Sequence, residues 1–230
     1  MLTLLIHSRT AWDDYFTESP TIIQTTLYEE RQTPSYTNLH VLNCLFKSIT
    51  STSAGGALFC NSVTYLLVES TSFFSCKAYG NGGAIYFANT GSGQSVYHEV
   101  CGFDCFSTNS GNGPFSYNEI NDAALSKNYI NSSSIVRCMG ENSTPGYMIC
   151  HHYGTHCYPS VNISMNKCSL RPGIYSVPYK NSNSVTCSIS YSTFADNNAT
   201  GYVCIQLWME GAKFEVKSCN IIRNTRSDLG

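Results

Sequence analysis

The sequence predicts an all-β protein, a right-handed parallel β-helix of about seven coils with three short strands in each. Three observations lead there. A short line recurs seven times along the 230 residues, its fourth position is always small, and a glycine-led apolar run follows six of the copies. A fixed residue type at a period of this size marks a stack of repeats.

The copies are VLNCLF (41–46), VESTSF (68–73), HEVCGF (98–103), IVRCMG (135–140), MNKCSL (165–170), ISYSTF (189–194) and VKSCNI (216–221). Their fourth residues are Cys44, Thr71, Cys101, Cys138, Cys168, Ser192 and Cys219, spaced 24 to 37 residues apart. Ahead of them, residues 1–37 are aromatic, acidic and out of phase, and read as an N-terminal cap; residues 38–230 form the repeat domain. The opening MLTLLIHSRTAW carries an apolar run too short for a signal-peptide core, with no basic residue before it. That absence, and the lack of a distinct C-terminal cap after VKSCNIIRN, suggest a fragment of a longer product.

Each coil divides into three groups. The first starts at the small residue and alternates, as in Cys44/Phe46, Thr71/Phe73 and Ser192/Phe194, the period of a half-buried strand. The second opens on glycine, which supplies backbone freedom at a corner: GGALF (55–59), GGAIYF (82–87), GPFSY (113–117), GYMIC (146–150), GIYSV (173–177) and GYVCIQLW (201–208). The third alternates again: Leu39/Val41, Leu66/Val68, Val96/His98, Ile163/Met165, Cys187/Ile189 and Phe214/Val216. One coil cannot bury its inner face alone, whereas stacking closes a continuous core. Strand spacing gives a rise of roughly 4.8 Å per coil. A β-sandwich of similar strand count would leave the phase-locked small residue unexplained.

Only 12% of residues are charged and the net charge is −2, so no field draws nucleic acid. No stretch of 18 apolar residues offers a transmembrane helix. Twelve cysteines and the sequons at Asn131, Asn142, Asn162 and Asn198 favour a cell-surface or extracellular setting. Most cysteines read as small buried hydrophobes, with Cys44, Cys101, Cys138, Cys168 and Cys219 stacked in one ladder. Cys101, Cys138 and Cys168 fall on consecutive coils within disulfide reach, which leaves pairing open as the alternative. Around residue 150, Cys150, His152, His156 and Cys157 form a weak candidate zinc set, because sulfur and nitrogen ligands suit that ion. The spacing matches no compact zinc module, and no metal or cofactor is expected.

The motifs GGAL (55–58) and GGAI (82–85), with Phe106-Ser-Thr-Asn109 and Phe194-Ala-Asp-Asn197, resemble the GGA[ILV] and FxxN repeats of polymorphic outer-membrane proteins. Surface-protein families of some protists look similar. The resemblance spans roughly residues 39–224 and implies a right-handed parallel β-helix with surface display, adhesion or antigenic roles. It implies no catalytic residue.

Parallel β-helices also carry polysaccharide lyases and hydrolases, whose chemistry needs carboxylates gathered on one face. Here the acids scatter over different phases; the best polar column runs through Glu69, Glu99, Arg137, Lys167 and Lys217. Asp13-Asp14 is paired, but in the cap. The reading is therefore a non-enzymatic surface or secreted rod that binds a host or self protein or a glycan along one face. A carbohydrate-active enzyme is the alternative. Tyr79, Tyr153, Tyr158 and Tyr179 read as loop tyrosines suited to adhesive contact.

Overall fold

The computed structural model describes residues 11–108, 111–140, 146–169, 171–179, 186–201, 204–208 and 213–226. They form a parallel β-solenoid, and every strand pairing among them is parallel. Each coil has four sides, not the expected three. A representative coil runs Asn38–Leu42 on side one, Leu45–Lys47 on side two, Thr50–Ser51 on side three and Leu58–Cys60 on side four. The sides hold eight, eight, seven and six strands, so six circuits are complete and a partial coil stands at each end.

The extra side is hidden by the way the chain bends. Two bends flank side two, and each puts one residue in the left-handed region and turns the next inward. The left-handed pairs are Asn43/Ser48, Ser70/Ser75, Glu99/Asp104, Ser132/Arg137, Ser160/Met165, Tyr191/Asp196 and Ser218/Arg223, with φ between 46° and 56°. The two members always stand five residues apart. None is glycine, although each such residue costs on the order of 1–2 kcal/mol. With no glycine or proline to mark the second bend, sides two and three read in sequence as one alternating strand.

The shared bend pattern also explains where the repeat line slips. Pairing aligns the first inward column as Cys44, Thr71, Val100, Ser133, Val161, Ser192 and Cys219. The second column is Ile49, Cys76, Cys105, Cys138, Asn166, Asn197 and Asn224. Cys101 therefore stands one residue past its corner, Cys138 belongs to the second bend, and Cys168 lies beyond it on side three. Measured between first-bend residues, circuits run 27 to 33 residues, a tighter spread than the repeat lines gave.

The fourth side begins as expected. Gly55, Gly82 and Gly113 sit at φ +69°, +72° and +67°. The next glycine admits no side chain, since a Cβ on Gly56 would lie 1.9 Å from the Gly83 carbonyl oxygen. That contact is the physical content of the GGA motif.

The lumen changes along the rod. In the first coils it holds Leu39, Val41, Phe46, Leu58, Leu66, Val68, Phe73, Ile85 and Phe87, all buried, with Phe46 and Phe73 stacked at 4.9 Å. Further on, the inward residues of side one become Ser95 and Tyr97, then Asn128 and Ile130, then His156 and Tyr158. Val96 and His98 consequently face outward, and Ile163 and Met165 belong to side two and its bend, contrary to the alternation read from sequence. Polar residues inside the coil remove the cue on which that reading depended.

Within the expected cap, Thr21–Gln24 and Leu27–Tyr28 pair with the first coil and add a partial turn. The helix Trp12–Tyr15 lies along the outer face of side one instead of over the end. Trp12 and Phe16 pack there on Leu67 and Val96. Both Glu69 carboxylate oxygens accept the Ala11 N–H, at 3.2 and 3.1 Å, and Glu69 Oε2 lies 2.8 Å from His40 Nε2. Burial lowers the His40 pKa, and Glu69 partly offsets this.

Candidate functional site

The candidate zinc residues are split by the wall of the coil. Cys150 and His152 belong to Tyr147–His152 on side four, and His156 and Cys157 to Thr155–Pro159 on side one. Strand alternation turns His156 into the lumen, while Cys150, His152 and Cys157 face outward on two different sides. Cys150 Sγ and His152 Nε2 are 3.3 Å apart, but no cluster of three metal-ligating residues exists among the described residues.

The lumen instead gathers a polar layer that the sequence did not disclose. His151, also from Tyr147–His152, points inward with Nε2 3.2 Å from Ser116 Oγ and Nδ1 3.3 Å from the Tyr158 hydroxyl. His156 Nε2 donates to the Tyr153 carbonyl at 2.8 Å, which leaves Nδ1 to accept from Ser176 and from Tyr158 at 3.2 Å. Beside it Tyr97 donates to Asn118 Oδ1 at 2.6 Å, and Asn118 Nδ2 donates to Ser95 and Asn128 at 2.8 and 3.0 Å. His151, His156, Ser116, Ser176, Asn118 and Asn128 are all 0% exposed. Burial lowers His151 well below the ordinary imidazole value and brings His156 down to about 3. No substrate reaches this layer from outside.

At the second bend the true cysteine ladder is Cys76, Cys105 and Cys138, continued by Asn166, Asn197 and Asn224. Each asparagine serves its neighbour twice. Asn197 Oδ1 accepts the Asn166 N–H at 3.0 Å while its Nδ2 donates to the Ile163 carbonyl at 2.9 Å. Cysteine makes the same two contacts more weakly: Cys138 Sγ accepts the Cys105 N–H at 3.4 Å, and Cys105 Sγ donates to the Phe73 carbonyl at 3.6 Å. Phe194 and Asn197 of one FxxN motif are thus a lumen-filling ring and a ladder rung. Phe106 of the other copy sits on side three, outside that phase, and Asn109 lies outside the described residues. All twelve cysteines are thiols, and Cys101 is the exposed one.

On the outside, side four carries one aromatic ring per coil over several coils. Arg31 lies 4.5 Å over Phe59, which stacks on Tyr86 at 5.0 Å, which stacks on Tyr117 at 5.5 Å. Register continues the column through Cys150 to Tyr175, and Tyr175 stacks on Tyr147 at 4.1 Å. The rings are half-buried, and the Tyr117 hydroxyl donates to Glu119 at 3.1 Å. Period-two alternation could have revealed this column had the outward positions of each glycine-led strand been compared.

Of the loop tyrosines, Tyr79 is exposed, Tyr153 and Tyr179 are half-buried, and Tyr158 is a lumen residue of a strand. Three sequons lie on outer faces with their amides engaged at 3.1 Å: Asn131 with Tyr15, Asn162 with Ser134 and Asn198 with Thr225. Asn142 lies outside the described residues.

The proposed polar column breaks up, because Glu69 and Lys217 share one column, Glu99 and Arg137 occupy different bends, and Lys167 is on side three. Five acids are matched singly: Glu69 with His40, Glu99 with Ser70 at 2.8 Å, Asp104 with Arg137 at 3.5 Å, Asp196 with Arg223 at 2.7 Å and Glu215 with Lys217 at 2.6 Å. Glu141 and Glu210 lie outside the described residues.

The fold and these faces define a parallel β-solenoid. Comparison with family models, curated proteins and solved structures returns no match.

Proposed function

We propose that the protein is a non-enzymatic β-solenoid that binds an extended glycan along side four, as a surface-displayed or secreted rod. The aromatic column carries this reading. Phe59, Tyr86 and Tyr117 recur at the spacing of neighbouring strands, and Tyr175 follows two strands on, past Cys150, so a partner built of repeating units meets the same kind of contact at three successive coils and again at the fifth. Tyrosine offers an apolar ring and a hydroxyl together, the combination a neutral sugar chain uses. Glu69, Glu99, Asp104, Glu119, Asp196 and Glu215 are each matched with a base or a hydroxyl, which suits display more than acid–base chemistry. The GGAL, GGAI and Phe194–Asn197 motifs support a likeness to polymorphic outer-membrane protein repeats.

Binding of the 230-residue chain to a glycan array tests the proposal. Tyr86→Ala with Tyr117→Ala is expected to weaken binding about tenfold or more, about 1.4 kcal/mol or above. Binding that is absent from the wild type, or unchanged in the double variant, sinks it.

A further inference from the structure

The lumen layer at His151 and His156 asks what two neutral imidazoles do inside a wall of backbone. We infer that this layer is an acid-operated seam: below neutral pH the middle coils open at His151, Tyr158 and His156 while the apolar first coils stay stacked. In a solenoid each coil touches only its neighbours, so one weak layer can open without dissolving the rest.

The geometry sets the proton balance. Tyr158 has one hydroxyl hydrogen and two imidazole Nδ1 atoms, of His151 and of His156, at 3.3 and 3.2 Å. His156 Nε2 already gives its hydrogen to the Tyr153 carbonyl, and Ser116 and Ser176 complete the set with hydroxyls. Each partner suits neutral rings. The titratable groups around them are Tyr97 from Gln94–His98, Tyr158 from the same strand as His156, and Cys187 from Thr186–Ser190, whose thiol sulfur accepts the backbone N–H of His156 at 3.3 Å. Strands Ser116–Glu119 and Lys127–Asn131 bring Ser116, Asn118 and Asn128 inward, and Arg171–Val177 brings Ser176. The charge-bearing group felt from outside is His152, across the wall, and its influence also opposes protonation. No carboxylate among these contacts steadies an added proton.

In the unfolded chain both rings take protons near 6.5, whereas in the rod they resist until far lower, His156 to about 3. The unfolded or opened state therefore binds more protons in that window. Stability is full above pH 6.5 and falls as the pH drops through it toward 3. Each imidazole raises the opening constant about tenfold per pH unit well below 6.5, so the pair raises it about a hundredfold.

Three readouts on the 230-residue chain test the seam. Urea unfolding followed by circular dichroism between pH 7.5 and 4.5 should show that acid dependence, and His151→Gln with His156→Gln should remove most of it even where the variant is less stable at pH 7.5. Imidazole NMR of the folded wild type should show His151 and His156 still neutral at pH 5, a result that needs no variant. Hydrogen exchange at pH 5, corrected for intrinsic rates, should rise in 147–158 before 39–87. Titration of either ring near 6.5 in the folded rod, an unchanged acid dependence in the double variant, or earlier exchange in 39–87 overturns the inference.

Discussion

The first and second halves of the rod solve the same packing problem with different chemistry. The early coils fill the lumen with Phe46, Phe73, Phe87 and aliphatic residues, and their second bend carries Cys76, Cys105 and Cys138. The later coils place hydroxyls, amides and imidazoles inside, and their bend carries Asn166, Asn197 and Asn224. The backbone is the same in both. What a coil asks for is therefore a filled lumen and a satisfied bend, not hydrophobicity as such. An apolar filling is forgiving of pH and gains from area removed from water. A polar filling works only when every donor finds its acceptor, so its losses are steeper and depend on solution conditions.

The largest test of this contrast is Phe73→Ala. It deletes a fully enclosed ring stacked on Phe46 and set edge-on to Phe115 at 6.1 Å, and should cost about 3–5 kcal/mol in denaturant unfolding. A loss below about 1 kcal/mol would mean the early coils are not held by their lumen. Next comes the ladder. Asn197→Ala strands the Asn166 N–H and the Ile163 carbonyl, both buried, and should cost about 1–3 kcal/mol. Asn197→Cys keeps both contacts in weaker form and should cost less; equal losses would show that the two ladders are not equivalent. Least perturbing is thiol labelling of the folded chain. Cys101 should react first with an aromatic disulfide reagent, because burial pushes the Cys168 thiol up to about 12 and those of Cys187 and Cys204 up to about 11. Fast labelling of Cys76 or Cys105 would show that the early coils breathe.

The same contrast explains what the sequence disclosed. In the first coils, where Leu39/Val41, Leu66/Val68 and the GGA turns follow simple apolar and glycine rules, the register of side one and the glycine corners were legible. The fourth side was legible in the first three full coils, since a positive φ at Gly55, Gly82 and Gly113 leaves a glycine in the text. The second bend was not, because Ser75, Asp104, Arg137 and Met165 adopt the left-handed conformation without any residue that announces it. The polar layer was not either: His151, His156 and Tyr158 look like loop residues until strand pairing turns them inward. The split of Cys150, His152, His156 and Cys157 across the wall follows from that same turn, and so does the loss of the zinc reading.

The five-residue interval between the two bends has one more consequence. Circuits differ by up to six residues, yet that interval never changes, so every added or missing residue falls elsewhere on the circumference. One flank of the rod is a ruler of constant pitch, and the connections around side four absorb all editing. Growth, insertion and sequence drift are thereby channelled to the flank that bears the aromatic column, and the ruler keeps successive rungs of that column in step however the loops beside them are rewritten.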